Sequence, residues 1–278
     1  GVSYIPPDLA EKMNIFPIRH NFADEVRTLR LPQFYRKVDE HSLFAEIQGG
    51  TLLDRDMLLE KFQLANCNVN DFGFDITTGD IAKLDLVSLE TEGTNYEPTR
   101  VQLKPNDINK LREILATLSS DAKKRQLSGL VSSWLGKMPP LGEPDLREYI
   151  NKLLSRLSPH ELDGIVEQQQ LFIDAVRKRV RQEMLNFRRE TFLQWVSTEE
   201  IFAKGTYFFS QESNLIELYT PCENTLYERE ESSKLTDIER KMADWLSSSS
   251  NIQWWHRNHQ TQGFCLNGAI NHYPDFIV

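Results

Sequence analysis

The sequence predicts an α+β fold. Period-two alternation with turn residues prevails before Lys104, a helical period takes over after Pro105, and short β-prone runs return after Gly205. Those shifts divide the chain into a mixed, strand-rich region (1–104), a helical region with one long amphipathic helix (105–205) and a mixed tail (206–278). At 278 residues there is length for two or three modest cores.

In the first region Leu29-Arg-Leu-Pro-Gln-Phe-Tyr-Arg-Lys reads as extended, with Pro32 favouring a sheet edge or a loop because proline has no N–H for a ladder. Asp54 to Leu64 (DRDMLLEKFQL) reads as a short helix. Phe72-Gly-Phe-Asp-Ile and Ala82-Lys-Leu-Asp-Leu-Val alternate around the turn residues Thr78-Gly79-Asp80, which predicts a hairpin. Thr99 to Lys104 is a further strand candidate.

In the second region Asn106 can cap a helix that aligns Ile108, Leu111, Ile114, Leu115 and Leu118. A second helix covers Ala122 to Leu135 and stops before Gly136; a third follows Pro144, a residue suited to a first helical position. Ser158-Pro-His-Glu161 is a capping box that opens a long helix. Its Leu162, Ile165, Val166, Gln169, Phe172, Ile173, Val176, Val180 and Met184 recur at three- and four-residue steps, a packing seam. Arg177, Lys178, Arg179, Arg181, Arg188 and Arg189 fill much of the remainder. A basic face of this kind is either solvated or a track for DNA phosphates, with Arg177 and Arg181 as candidates.

In the tail Thr206 to Ser210 and Asn214 to Tyr219 read as strands around a Gln211-Glu-Ser turn, and Thr236 to Leu246 as a helix. That helix aligns Ile238, Met242, Trp245 and Leu246 on one face and directs Glu239 and Arg240 elsewhere. Ile252-Gln-Trp-Trp, Gly263-Phe-Cys-Leu and the run entered at Tyr273-Pro-Asp are short strand candidates. Alternation along the first of these buries one of Trp254 and Trp255, so both are read as packing residues.

Composition narrows the classes. A net charge of −9 and a pI near 5.3 disfavour a non-specific nucleic-acid binder, though they leave room for a local basic face. Cys67, Cys222 and Cys265 are odd in number and far apart, which argues against a disulfide framework or a zinc cluster and for a reducing cytoplasm. No apolar run approaches the roughly 18 residues of a membrane span. The chain opens Gly-Val without a methionine and ends on Phe-Ile-Val, so a fragment of a longer protein is expected.

The tail carries Glu239-x-x-x-Ala-x-x-Leu, Trp254-Trp-His-Arg-Asn258 and Tyr273-Pro-Asp-Phe-Ile277. With these it resembles the C-terminal nuclease of type III restriction enzyme Res subunits and their DEAD/DEAH-box helicase relatives, in which a PD-(D/E)XK nuclease follows an ATP-driven motor. The resemblance implies that the tail is the incomplete first half of a PD-(D/E)XK α/β core. It makes Asp275 the metal-binding aspartate and Glu239 the ancillary acid, with Mg²⁺ as the cofactor of the complete nuclease. Arg257 and Asn258 become DNA-facing candidates, and His256 receives no role. Duplex DNA, a methyltransferase subunit and ATP bound by the parent motor are the implied partners and cofactor. The acidic-x-Lys half of the signature is missing after Asp275, as are a phosphate-binding loop and an Asp-Glu-Ala/His box. A chain with one such carboxylate is expected to bind metal poorly and to cut nothing.

Two rival readings stay open. Glu239 lies three residues after Thr236 and equally fits the closing acid of a capping box. The whole chain equally fits a non-catalytic docking or spacer module that couples a motor to a partner.

Overall fold

The structure, a computed structural model, describes residues 16–19, 21, 30–37, 50–74, 105–210, 212–215, 219–220, 222–231, 235–258 and 263–278. The expected hairpin turn at Thr78-Gly79-Asp80 and the strand candidate at Thr99–Lys104 lie outside these residues. The mixed α+β class holds: helices and small antiparallel sheets coexist. The chain divides into two compact units, one of Arg55–Gln194 and one of Gly1–Asp54 with Trp195–Val278.

The first of these units is helical: α1 (Pro105–Ala116), α2 (Ser120–Leu135), α3 (Glu143–Arg156), α4 (Pro159–Glu167) and most of α5 (Gln169–Ser197). Gly136 stops α2 as the sequence predicts, taking φ 68°, a conformation that carries almost no penalty only in glycine. The Ser158–Glu161 capping box is complete, and Pro159 follows the cap. The one long helix expected after it is two. Gln168 leaves helical geometry (φ −112°, ψ 37°), because the polar run Glu167-Gln-Gln-Gln buries no side chain that would hold the helical phase. The apolar seam survives the break. Leu162, Ile165, Val166, Phe172, Ile173, Val176, Val180 and Met184 are all buried, with Leu127, Val131, Tyr149, Ile150, Leu153 and Leu154 of α2 and α3. Each fully buried aliphatic side chain contributes about 1.5–3 kcal/mol relative to exposure, so this seam is the main source of the unit's stability.

Residues 54–64 form no α-helix. They contain the 3₁₀ turn Met57–Leu59, and a second turn, Leu64–Asn66, follows. With few backbone partners of its own, this segment is fixed by side chains of the helices. Asp145 accepts from the N–H groups of Leu64 and Ala65, both at 2.8 Å, and Lys152 donates to the carbonyl of Ala65. Arg156 and Arg179 donate to the carbonyls of Asn70 and Asn68, each at 3.1 Å. Phe72 and Phe74 then meet the ring of Phe172 edge-on.

The other unit contains nine short strands among the described residues. They are β1 (Phe16–Arg19), β2 (Leu31–Arg36), β3 (Thr51–Leu52), β4 (Ile201–Tyr207), β5 (Glu212–Leu215), β6 (Tyr219–Thr220), β7 (Glu230–Glu231), β8 (His256–Arg257) and β9 (Phe276–Ile277). The strands expected on either side of the Gln211-Glu-Ser turn take long-range partners: β4 pairs with β2 and β5 with β1, all antiparallel. Gly205 sits inside β4, opposite Pro32 where the register slips, and does not close the helical region. A Cβ there would lie 2.9 Å from the Arg30 side chain, so the bulge needs glycine. Pro32 is tolerated in the middle strand of the sheet because β3 pairs only at Tyr35 and Arg36. Helix α6 (Asp237–Ser248) precedes the β8–β9 ribbon.

Candidate functional site

The candidate site is built on α6, β7, β8 and β9. Thr236 caps α6: its hydroxyl accepts from the Glu239 N–H at 3.3 Å, and the Glu239 carboxylate accepts from the Thr236 N–H at 2.7 Å. Of the face expected to pack, only Leu246 is buried, joined by Ala243. Ile238 is 81% exposed and Trp245 59%, with Met242 also exposed. The buried stripe is turned by about a quarter of the helix circumference, because Trp255 packs on Ala243 and Leu246.

Strand order assigns each residue of the Trp-Trp-His-Arg-Asn run to a surface. Trp255 is buried and carries the main-chain link to the Asn224–Leu226 segment, while its indole N–H donates to the Glu223 carbonyl at 3.1 Å. Trp254 is half-buried against Phe209. Both are packing residues, as the alternation predicts. The strand lies later than expected: none of Ile252–Trp255 is in it, Trp255 forming only a bridge with Thr225, and Gly263–Leu266 contributes only a bridge between Leu266 and His272.

Arg257 points toward α6 and forms an ion pair with Glu239 (3.7 Å). His256 points the other way: its Nδ1–H donates to the carboxylate of Glu230 at 2.7 Å, and its ring lies edge-on to Phe209 and Tyr227. The Glu230 side chain is 5% exposed and the His256 side chain 15%. A carboxylate so desolvated needs that partner, with the Arg257 N–H at 3.4 Å as a weaker second donor. Asn258 is buried. Its amide closes two bonds with the backbone of Phe264, at 2.7 and 2.6 Å, and its N–H donates to the Asp275 carbonyl at 2.9 Å.

Asp275 is exposed, one residue before β9. The pairs His256–Ile277 and Arg257–Phe276, extended by one, set Asp275 opposite Asn258. Opposed residues of an antiparallel pair share a face, so Asp275 belongs to the His256 face and Glu239 to the Arg257 face. The structure thus joins Glu239 with Arg257 and Asn258 with Asp275, without uniting the two acids. Among the described residues no group of three His, Cys, Asp or Glu side chains could hold a metal ion. The described residues do not fit a complete Mg²⁺ site.

Electrostatics agrees with a structural use of Glu239. A hydrogen bond from the Thr236 N–H, partly opposed by burial, holds its carboxyl below the usual carboxylate range, with the Thr236 hydroxyl and Arg257 assisting. Burial pushes up the hydroxyl of Tyr227, beside Glu230, and the thiol of Cys222.

The DNA-facing candidates separate. Arg177 is half-buried, donating to the carbonyls of Trp134 and Leu135 at the end of α2 and pairing with Asp174. It supplies the cation that a helix C-terminus favours. Arg181 is exposed. Arg257 and Asn258 are largely withdrawn from solvent, as above.

Three important residues escaped the sequence. Glu230 sits in a polar run that resembles a loop, and no spacing ties it to His256. Asn267 bonds the N–H and carbonyl of Phe34 and the carbonyl of Leu53, a span of over 200 residues. Arg179, in the supposed basic face, is buried and paired with Glu183 at 2.7 Å. Comparison with protein-family models, with curated proteins and with solved structures finds no match.

Proposed function

We propose that this chain is part of an ATP-driven DNA-cleaving enzyme of the restriction or defence kind, and that its tail is the opening half of a PD-(D/E)XK nuclease core. The observation that supports the reading most is the order of the tail: a capped helix, then an antiparallel ribbon with His-Arg of the Trp-Trp-His-Arg-Asn run on one strand and Pro-Asp at the mouth of the other. A carboxylate on a rigid strand end is the kind of group that holds a divalent ion for phosphodiester hydrolysis. In this reading Asp275 is the one acid of the signature that the chain supplies. Glu239 is the anchor of α6 on β8, not a ligand. Mg²⁺, ATP, duplex DNA and a methyltransferase subunit belong to the whole enzyme.

The expected result with supercoiled and linear duplex in Mg²⁺ or Mn²⁺ is no cleavage, for the chain and for Asp275→Ala alike. Metal-dependent cleavage that Asp275→Ala abolishes would overturn the incomplete site.

A second reading, a docking module without catalysis, is favoured by a different observation. Ile238, Met242 and Trp245 leave one side of α6 apolar and exposed, a feature that a buried packing helix lacks.

A further inference from the structure

We propose that the outward face of α5 grips the phosphate backbone of duplex nucleic acid through Lys178, Arg181 and Arg189. This surface is remote in sequence from Asp275 and stands whether or not the tail is a nuclease.

The argument begins with how α5 disposes of its cations. Three of six are used internally. Arg179 and Arg188 are buried; the first pairs with Glu183 and Asp71, the second with Asp56 at 3.4 Å. Arg177 serves the end of α2. Lys178, Arg181 and Arg189 are exposed, and no ion pair among the described residues engages them. At 100° per residue all three fall within an arc of about 80°, and Lys178 and Arg189 stand about 17 Å apart along the axis.

Of the acids of the helix, Asp174 shares this arc one turn before Lys178, and Glu183 lies outside it. Asp174 is occupied by Arg177 and Gln170, and Glu183 by Arg179. Glu190 projects about 100° away from Arg189. A row of three exposed cations, without an ion pair among the described residues, therefore runs along the middle of α5, on a chain whose net charge is −9. Duplex DNA offers one phosphate charge per about 1.7 Å of axis, so a row of this length can meet several at once. A membrane surface offers phosphates too. An interfacial helix, however, needs an apolar face flanked by its cations. Here the exposed apolar side chains Leu171, Leu193 and Val196 lie before Lys178 or beyond Arg189, and between the charges the arc carries only half-buried Leu185.

The test is fluorescence anisotropy of a labelled 30-base-pair duplex of arbitrary sequence with the full chain, at 50 to 200 mM NaCl. Three phosphate contacts give a slope of log K against log salt near about −2.7, a loss of about 40-fold over that range. Each of Lys178→Gln, Arg181→Gln and Arg189→Gln is expected to flatten the slope by about one unit, and Lys204→Gln, exposed in the other unit, to leave it unchanged. All are surface changes, and circular dichroism checks that the fold is kept. The proposal is overturned by absent binding at 50 mM, or by a triple variant with the parental slope. Tighter binding to phosphatidylserine vesicles than to the duplex, lost in the triple variant, would also overturn it and identify a lipid-facing helix.

Discussion

Replacing His256 by alanine leaves the Glu230 carboxylate, 5% exposed, with the Arg257 N–H at 3.4 Å as its one donor among the described residues. Taking the hydrogen-bond donor from a buried carboxylate costs about 1–3 kcal/mol or more, because the group left behind stays desolvated. Loss of the ring contacts to Phe209 and Tyr227 adds to this. Glu230→Gln is different in kind: the amide oxygen still accepts from Nδ1–H and no charge is buried, so the expected cost is about 1 kcal/mol. The double variant should be less destabilised than His256→Ala alone, since glutamine removes the stranded charge. Urea unfolding followed by tryptophan fluorescence measures all three. A cost under about 1 kcal/mol for His256→Ala, or one equal to that of Glu230→Gln, would refute the view that this pair holds β8 to β7.

Glu239→Ala should cost about 1 kcal/mol at pH 7, the usual loss for a broken cap. Because the folded carboxyl is depressed, its stabilisation is present above the ordinary carboxylate pKa of about 4.3 and disappears as pH falls through the folded value. An acid titration of stability in the variant should lack that limb; parallel curves for variant and parent would contradict the assignment. Burial, followed by the charge of Glu183 and a hydrogen bond to it, raises the Cys67 thiol to about 11. Cys67 should therefore react slowly with an aromatic disulfide at pH 8 and quickly once unfolded. With its folded pKa raised, stability should fall as pH climbs from about 8.5 toward 11. Fast labelling of the native protein at Cys67, located by mass spectrometry, would count against that environment.

The helices were legible because their signals are local. The Ser158 and Thr236 capping boxes, Gly136 and the 3.6-residue seam each act within a few residues, and each appears where the pattern put it. The sheets were less so. Strand β2 takes its partners from residues 51–52 and 201–207, and β1 from 212–215, and no local preference encodes that distance. Burial on α6 was misread for a related reason: which side of an amphipathic helix is covered depends on Trp255, which docks from a later segment. The basic run of α5 shows the limit most clearly. Its six cations look alike in sequence, yet Asp56, Asp71, Glu183 and two carbonyls of α2 withdraw three of them. In the tail the Thr236 helix and a strand after Asp275 form where the pattern put them, while Ile252–Trp255 and Gly263–Leu266 form no strand, and the pairing register that separates Asp275 from Glu239 could not be read from spacing.

The most direct test of the nuclease reading is a Mn²⁺ titration of the ¹⁵N-labelled chain, observed by amide line broadening. A lone carboxylate of a nuclease edge predicts broadening only at millimolar Mn²⁺, centred on Asp275 and its neighbours Asn258 and Phe276. It should be lost in Asp275→Ala and kept in Glu239→Gln. Broadening centred on Glu239, or none near Asp275 at any concentration, would contradict it.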